Sequence, residues 1–146
     1  MFDTLLRRLL APGPDRLPEP DSRLALAALL VRVARADEDY AAAETGRIDR
    51  VLAERHGLSP FEAAALRREA ERFEVEAPDT VRFTRALKEA TGIDDRIALM
   101  EALWSVALAD GQRSDDEDQL IRMVANLLGM TDVESNMARQ RVERRA

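Results

Sequence analysis

The chain has 146 residues, a length that suits one folded domain with its own buried core. Its 22 basic and 28 acidic residues give a net charge of −6, which argues against the phosphate backbone of nucleic acid as a main partner. Cysteine is absent, so disulfides, thiolate metal sites and thiol catalysis are excluded. No apolar run approaches the roughly 20 residues that span a bilayer, and no signal peptide is visible, so we expect a cytoplasmic protein.

The first twenty residues are predicted to form an amphipathic helix followed by a proline-rich tether. Residues 1–10 carry a helical stripe of apolar side chains, namely Phe2, Leu5, Leu6, Leu9 and Leu10. This stripe fits either a membrane-surface anchor or a lid that packs on the domain's own core. Four prolines and a glycine follow between residues 11 and 20, which predicts an extended segment. Residues 21–146 then form one helical domain.

Helical periodicity and end signals divide that domain into successive helices. Alanine and leucine far outnumber valine and isoleucine, a composition that favours helices over strands. Three Ser/Thr-x-x-Glu capping boxes and three glycines mark helix starts and ends. We therefore predict an all-α, single-domain bundle of about seven to eight helices. After the first helix, the predicted helices begin near Asp21, Ala42, Pro60, Asp79, Asp94, Asp115 and Asp132.

The sequence contains an internal repeat of a helix pair. Residues 21–51 align with residues 94–124 without a gap, with twelve identities in 31 positions. Any two amphipathic helices agree at apolar positions, but packing alone does not require the shared acids. We therefore predict two helix hairpins related by a pseudo-twofold axis within one compact bundle.

The shared acids are the candidate functional residues. Asp37 and Asp110 continue the apolar face of their helices and are predicted to point inward from the last helical turn. Each is followed seven residues later by a glutamate at the start of the next helix, Glu44 or Glu117. Together with Asp39 in the first loop, these carboxylates offer the all-oxygen ligation that calcium or magnesium prefers. They are the predicted ligands of a divalent cation.

A structural interpretation of the same acids stays open. Glu117 is also the third residue of a capping box that begins with Ser114, and Asp110 can cap the amides that follow it. Arginines could compensate the carboxylates instead of a metal. Position 41 is Ala, so this capping argument does not extend to Glu44. An EF-hand, a di-iron motif, a phosphate loop and a Ser-His-Asp arrangement are not present, so we predict no catalytic residues and no enzyme activity.

The second copy of the repeat resembles the TerB-like family, which is named for a tellurite resistance protein. The resemblance is carried by Ala109-Asp110-Gly111 with Ser114 and Glu117, and it covers roughly residues 21–130. The first copy departs from the pattern, because Glu38 and Ala41 replace the glycine and the serine. The resemblance implies an all-helical fold, acids that act as metal ligands, and a bacterial stress or tellurite-resistance role near membrane-linked complexes.

Two functions are expected from these features. The first is a non-enzymatic, tellurite-resistance-type stress protein that binds a divalent cation through its duplicated acids and presents an ion-dependent surface to a protein partner. The second is a metal-free interaction scaffold or co-chaperone-like module, since a related region occurs in a membrane-anchored co-chaperone. In that alternative the acids are helix caps and ion pairs.

Overall fold

The protein folds into an all-α bundle, as the sequence predicts. The computed structural model describes residues 19–36, 40, 42–76, 80, 84–85, 87–88, 93–109, 111 and 114–145. Within these residues every regular element is a helix. Six have defined bounds: α1 (Glu19–Ala34), α2 (Ala42–His56), α3 (Pro60–Glu76), α4 (Ile93–Ala107), α5 (Asp115–Leu127) and α6 (Asp132–Arg145). Residues 80, 84, 85, 87 and 88 are also helical, within the predicted helix over 79–91.

Most helix ends lie within a residue or two of their predicted positions. The start of α1 differs by two residues, because the helix begins at Glu19 and includes the last two residues of the predicted tether. Pro20 is tolerated there because the first turn of a helix does not need its missing N–H. The amphipathic helix predicted over residues 1–10 lies outside the described residues.

Two helices end at glycines in the left-handed conformation. Gly57 has φ of 64° and Gly129 has φ of 83°, values that L side chains rarely adopt. The residue after each glycine donates a backbone hydrogen bond back across the turn, from Leu58 N to Ala53 O at 3.0 Å and from Met130 N to Ala125 O at 2.9 Å. This pattern satisfies helix carbonyls that would otherwise have no partner. The glycine stops predicted from the sequence are therefore confirmed at both ends.

The core lies around α1, which packs against α2, α3, α4 and α5. Nearly every residue of α1 from Leu24 to Ala34 is buried, so this helix is covered on all sides. The sequence gives α3 the apolar residues Phe61, Ala65 and Phe73 at helical spacing, and only part of this stripe is buried. Phe73 is fully buried, but Phe61 is 78% exposed and Ala65 is exposed as well. A helical spacing identified the stripe but did not determine where along α3 the contact with α1 begins.

The same order of three helices occurs twice, as α1–α3 and as α4–α6. Ala34 and Ala107, which are aligned in the predicted repeat, end α1 and α4, and the aligned Ala42 and Asp115 begin α2 and α5. The backbone hydrogen bonds after α1, from residue 35 to 31 and from 36 to 33, measure 2.9 and 3.2 Å. Their aligned counterparts, from residue 108 to 104 and from 109 to 106, have the same lengths.

The likeness of the two halves extends into their third helices. Capping boxes begin both α3 and α6, with reciprocal hydrogen bonds between Ser59 and Glu62 and between Thr131 and Glu134. Placing the first box on the second shifts the alignment by one residue just before the glycine turns, so that Gly57 aligns with Gly129 and Phe73 with Arg145.

Candidate functional site

The candidate acids flank two short connections, from α1 to α2 and from α4 to α5. α1 ends at Ala34 and α4 at Ala107, each three residues before its aspartate. Asp37 and Asp110, which are predicted to lie in the last helical turn, are outside the described residues. A turn follows each helix, with the hydrogen bonds of Ala36 and Ala109 to carbonyls of α1 and α4.

The second connection has the local geometry that its sequence predicts. Gly111 has φ of 78° and donates its N–H to the Leu108 carbonyl at 3.1 Å. Ser114 is the N-cap of α5, with φ −106° and ψ 146°, and its Oγ accepts a hydrogen bond from Glu117 N at 3.0 Å. These contacts satisfy backbone groups at a helix end and a helix start, so Ser114 acts as a cap.

The two candidate glutamates are buried, which a capping role does not require. Glu44 is 0% exposed and Glu117 is 1% exposed, and both lie in the first turn of their helices. The glutamates of the other two capping boxes, Glu62 and Glu134, are exposed although they cap their helices fully. Because burying a carboxylate is costly unless its charge is compensated, Glu44 and Glu117 need compensation from their surroundings.

The remaining predicted ligands, Asp37, Asp39 and Asp110, lie outside the described residues. Within the part of the chain that the structure describes, no group of three or more His, Asp or Glu side chains is close enough to hold a metal ion. Glu44 and Glu117 are therefore the two predicted ligands that the structure places. As buried carboxylates beside connections that carry the other three acids, they fit the oxygen-donor chemistry of a hard divalent cation.

A groove of about 820 Å³ lies between α2 and α6, with α4 as its floor. α4 contributes mainly small or apolar side chains to the floor, including Ala98 and Ala102, and Leu108 follows directly after the helix. α2 contributes three arginines at helical spacing, Arg47, Arg50 and Arg55. The groove is therefore cationic along one wall, in a protein with a net charge of −6.

A network of ion pairs lies among the first three helices of the bundle. Arg32 and Arg35 of α1 both contact the Glu74 carboxylate of α3, at 3.2 and 2.9 Å. Arg67 of α3 contacts Asp49 of α2 at 2.6 Å and Glu71 at 3.2 Å. Each of these side chains is at least two-thirds buried, so the pairs are less screened than surface pairs. We conclude that this network joins α1, α2 and α3.

Tyr40 lies within the network and its ionisation is suppressed there. Its ring lies under the Arg35 guanidinium, 5.2 Å from ring centroid to carbon. Burial raises the pKa of Tyr40 well above its ordinary value, and the Glu71 carboxylate adds to this effect. For Arg67, burial alone would lower the pKa, but the Asp49 and Glu71 carboxylates outweigh it, so the pKa is raised. Both groups therefore keep their protons at neutral pH and are structural.

The sequence of the chain matches the model of a known protein family. The family model described as tellurite resistance protein TerB matches residues 23–140, which include most of α1, all of α2 to α5 and most of α6. This chain belongs to the TerB family. No curated protein and no solved structure matches it.

The match confirms the resemblance that Asp110, Gly111, Ser114 and Glu117 carry, and TerB membership associates the chain with tellurite resistance. In the described part of the chain, no helix is long and apolar enough to cross a membrane. The arginine groove is the feature of this TerB protein that our sequence reasoning missed. Its signal was present as arginines at positions 47, 50 and 55, next to the predicted apolar stripe of α2.

Proposed function

We propose that this TerB-family protein is a non-enzymatic stress protein of the tellurite-resistance type that binds a divalent cation. The observation that supports it is the burial of Glu44 and Glu117 at aligned positions, 0% and 1% exposed. Capping does not require this shared burial, because Glu62 caps α3 equally well while exposed. A cation would supply the positive charge that buried carboxylates need.

The ligands in this proposal are Asp37, Asp39, Glu44, Asp110 and Glu117. Their oxygen donors favour calcium or magnesium over softer metals. Glu44 and Glu117 begin helices that follow the two connections, so a cation held by them would also order the connections. An ordered connection changes the neighbouring surface, and this is how ion binding would control the capture of a protein partner in the cytoplasm.

The test is a thermal melt of the metal-stripped full chain, with and without millimolar calcium, magnesium, manganese or zinc. A cation that binds only the native state raises its stability, by about 2.7 kcal/mol at a hundredfold excess over Kd. We expect a cation-specific rise in Tm that Asp110→Asn and Glu44→Gln abolish. Each variant is compared with its own metal-free melt, because removing a buried charge changes the starting stability.

Glu62→Gln and Glu134→Gln are the matched controls. They make the same chemical change in exposed glutamates of two capping boxes, so the cation-dependent rise should remain. A rise that survives in Glu44→Gln and Asp110→Asn would contradict the ligand assignment. If no cation changes Tm, the acids are structural, and the metal-free interaction scaffold becomes the better description of the protein.

A further inference from the structure

The three arginines of the α2 wall make few contacts within the described fold. Arg47 donates from Nη1 to Ser105 Oγ at 3.0 Å, but its Nε is buried without a hydrogen-bond acceptor. Among the described residues, Arg50 and Arg55 make no ion pair or hydrogen bond. By contrast, Arg145 on the opposite wall contacts the Glu101 carboxylate at 2.8 Å. The α2 wall therefore carries three arginines against one acid, Glu54, and no described residue forms an ion pair with these arginines.

The first half of the bundle indicates what class of ligand could occupy the groove. The surface of the first half that corresponds to the groove is covered by the helical segment between α3 and α4. Thr80 of that segment contacts Arg32, whose aligned residue is Ser105 in the groove. Lys88 lies beside Gly129, because its Nζ is 3.7 Å from the position that a Cβ on residue 129 would occupy. Gly129 corresponds to Gly57, the glycine that follows α2. Thr84 and Leu87 of this segment are buried.

We propose that the groove binds an acidic, amphipathic helix of a protein partner. The partner helix would lie in the groove in the same way that the helical segment between α3 and α4 lies on the corresponding surface of the first half. Arg47, Arg50 and Arg55 are spread over eight residues of α2, a distance of about 12 Å along the helix. Carboxylates spaced by three or four residues on the bound helix would face them, while its apolar side chains lie on Ala102 and Leu108.

The composition of the groove favours a peptide over nucleic acid. Glu54, Glu101 and Glu143 also line it, and they would repel a uniformly anionic phosphate backbone. The described residues that line the groove include no aromatic side chain, so they offer no surface on which bases could stack. A single small oxyanion is also a poor fit, because the arginines form a row instead of converging on one point. A helix with carboxylates on one face fits the mixed charge of the groove, needs no aromatic side chain for stacking, and matches the row of arginines.

The test measures binding of a labelled 14-residue peptide to the full chain by fluorescence anisotropy. The peptide is alanine- and leucine-rich, with glutamates on one helical face, and a second peptide replaces each glutamate with glutamine. We expect the acidic peptide to bind more tightly than the glutamine peptide, with an affinity that falls as salt is added. Arg47→Gln/Arg50→Gln/Arg55→Gln should weaken binding about tenfold or more.

Arg68→Gln/Arg72→Gln/Arg122→Gln is the matched control, because these three arginines are exposed and lie outside the groove. It makes the same change in net charge and should leave peptide affinity within about twofold. Arg50→Gln/Arg55→Gln is a second test that keeps the contact between Arg47 and Ser105, should the triple variant unfold. The cation proposal is independent, since none of its acids is changed here.

Three results would overturn the proposal. Equal losses in the groove variant and in the control variant would show that only net charge matters. Tighter binding of a single-stranded oligonucleotide than of the peptide, lost in the groove variant, would make nucleic acid the ligand. Dimers that the groove variant abolishes, in a chain that binds no peptide, would make a second copy of the chain the occupant.

Discussion

The two halves of the bundle differ most at the ends of their third helices. In the first half, Phe73 is fully buried and Glu74 of the same helix receives Arg32 and Arg35 from α1. In the second half, the residue aligned with Phe73 is Arg145, whose side chain is 67% exposed. The residues aligned with Arg32 and Arg35 are Ser105 and Leu108, and both line the groove.

The second helices of the two halves, α2 and α5, also differ in the side chains that they carry at aligned positions. Arg47, Arg50 and Arg55 of α2 align with Leu120, Met123 and Leu128 on and just after α5. One half therefore has charge where the other has apolar side chains. The first half closes its surface with Phe73 and an ion-pair network, whereas the second half leaves an open groove with a cationic wall. Related helix hairpins can thus keep a common core while one of them keeps a surface available for binding.

The largest expected difference between the halves is at Phe73 and its counterpart. Phe73→Ala removes a fully buried aromatic side chain, so we expect a loss of about 3–5 kcal/mol in the free energy of unfolding. Arg145→Ala changes an exposed side chain and should cost less than about 1 kcal/mol. Urea unfolding monitored by circular dichroism measures both. Similar losses in the two variants would contradict the view that only the first half closes its surface with this helix.

A smaller difference in the free energy of unfolding is expected where a buried hydrogen bond in the second half corresponds to two apolar residues in the first half. Trp104 Nε1 donates to Ser135 Oγ at 3.1 Å in a buried contact, while the aligned residues in the first half are Val31 and Ala63. Ser135→Ala removes an acceptor of the indole N–H, so we expect a loss of about 1–3 kcal/mol in the free energy of unfolding. Ser135→Thr, which keeps a hydroxyl at this position, is the control for the hydrogen bond.

Trp104 is the only tryptophan of the chain, so its fluorescence reports on this contact directly. The emission maximum and the unfolding midpoint should both change in Ser135→Ala. An unchanged unfolding midpoint would mean that this hydrogen bond adds no net stability, and that the two halves hold their third helices by equally apolar contacts.

The helices were predictable because local signals define them. The capping boxes at Ser59, Ser114 and Thr131 and the glycines at 57 and 129 gave helix ends that the structure confirms. Such signals act within one or two turns, so they need no knowledge of the fold. Trp104 was likewise expected in the core from its alignment with Val31, and both are buried.

The groove could not be predicted because it depends on tertiary packing. Its existence depends on which of two similar surfaces the helical segment near Thr84 covers, and the periodicity of α2 or α4 does not contain that information. The exposure of Phe61 has the same cause, because an apolar residue at helical spacing is buried only where another helix meets it. For the candidate cation site, the sequence predicted the acids, and the structure adds that Glu44 and Glu117 are buried.

The smallest expected effect concerns the capping box of α3. The Ser59 backbone N–H donates to Glu62 Oε1 at 3.0 Å, and this bond, with the Ser59 hydroxyl, lowers the pKa of Glu62 below its ordinary value. A lowered pKa in the folded state contributes stability that is present above the unfolded-state pKa of about 4.3. That contribution is lost as the pH falls through the lower folded-state pKa.

Carboxyl carbon shifts measured by NMR between pH 2 and pH 7 test this directly. In Ser59→Ala the backbone N–H remains but the hydroxyl is lost, so the pKa of Glu62 should rise part of the way to its ordinary value. Thr131→Ala makes the corresponding change in the box that begins α6 and should leave the Glu62 titration unchanged. A Glu62 midpoint that does not move in Ser59→Ala would assign the whole shift to the backbone bond, and exposed capping glutamates would then owe their ionisation to the helix start alone.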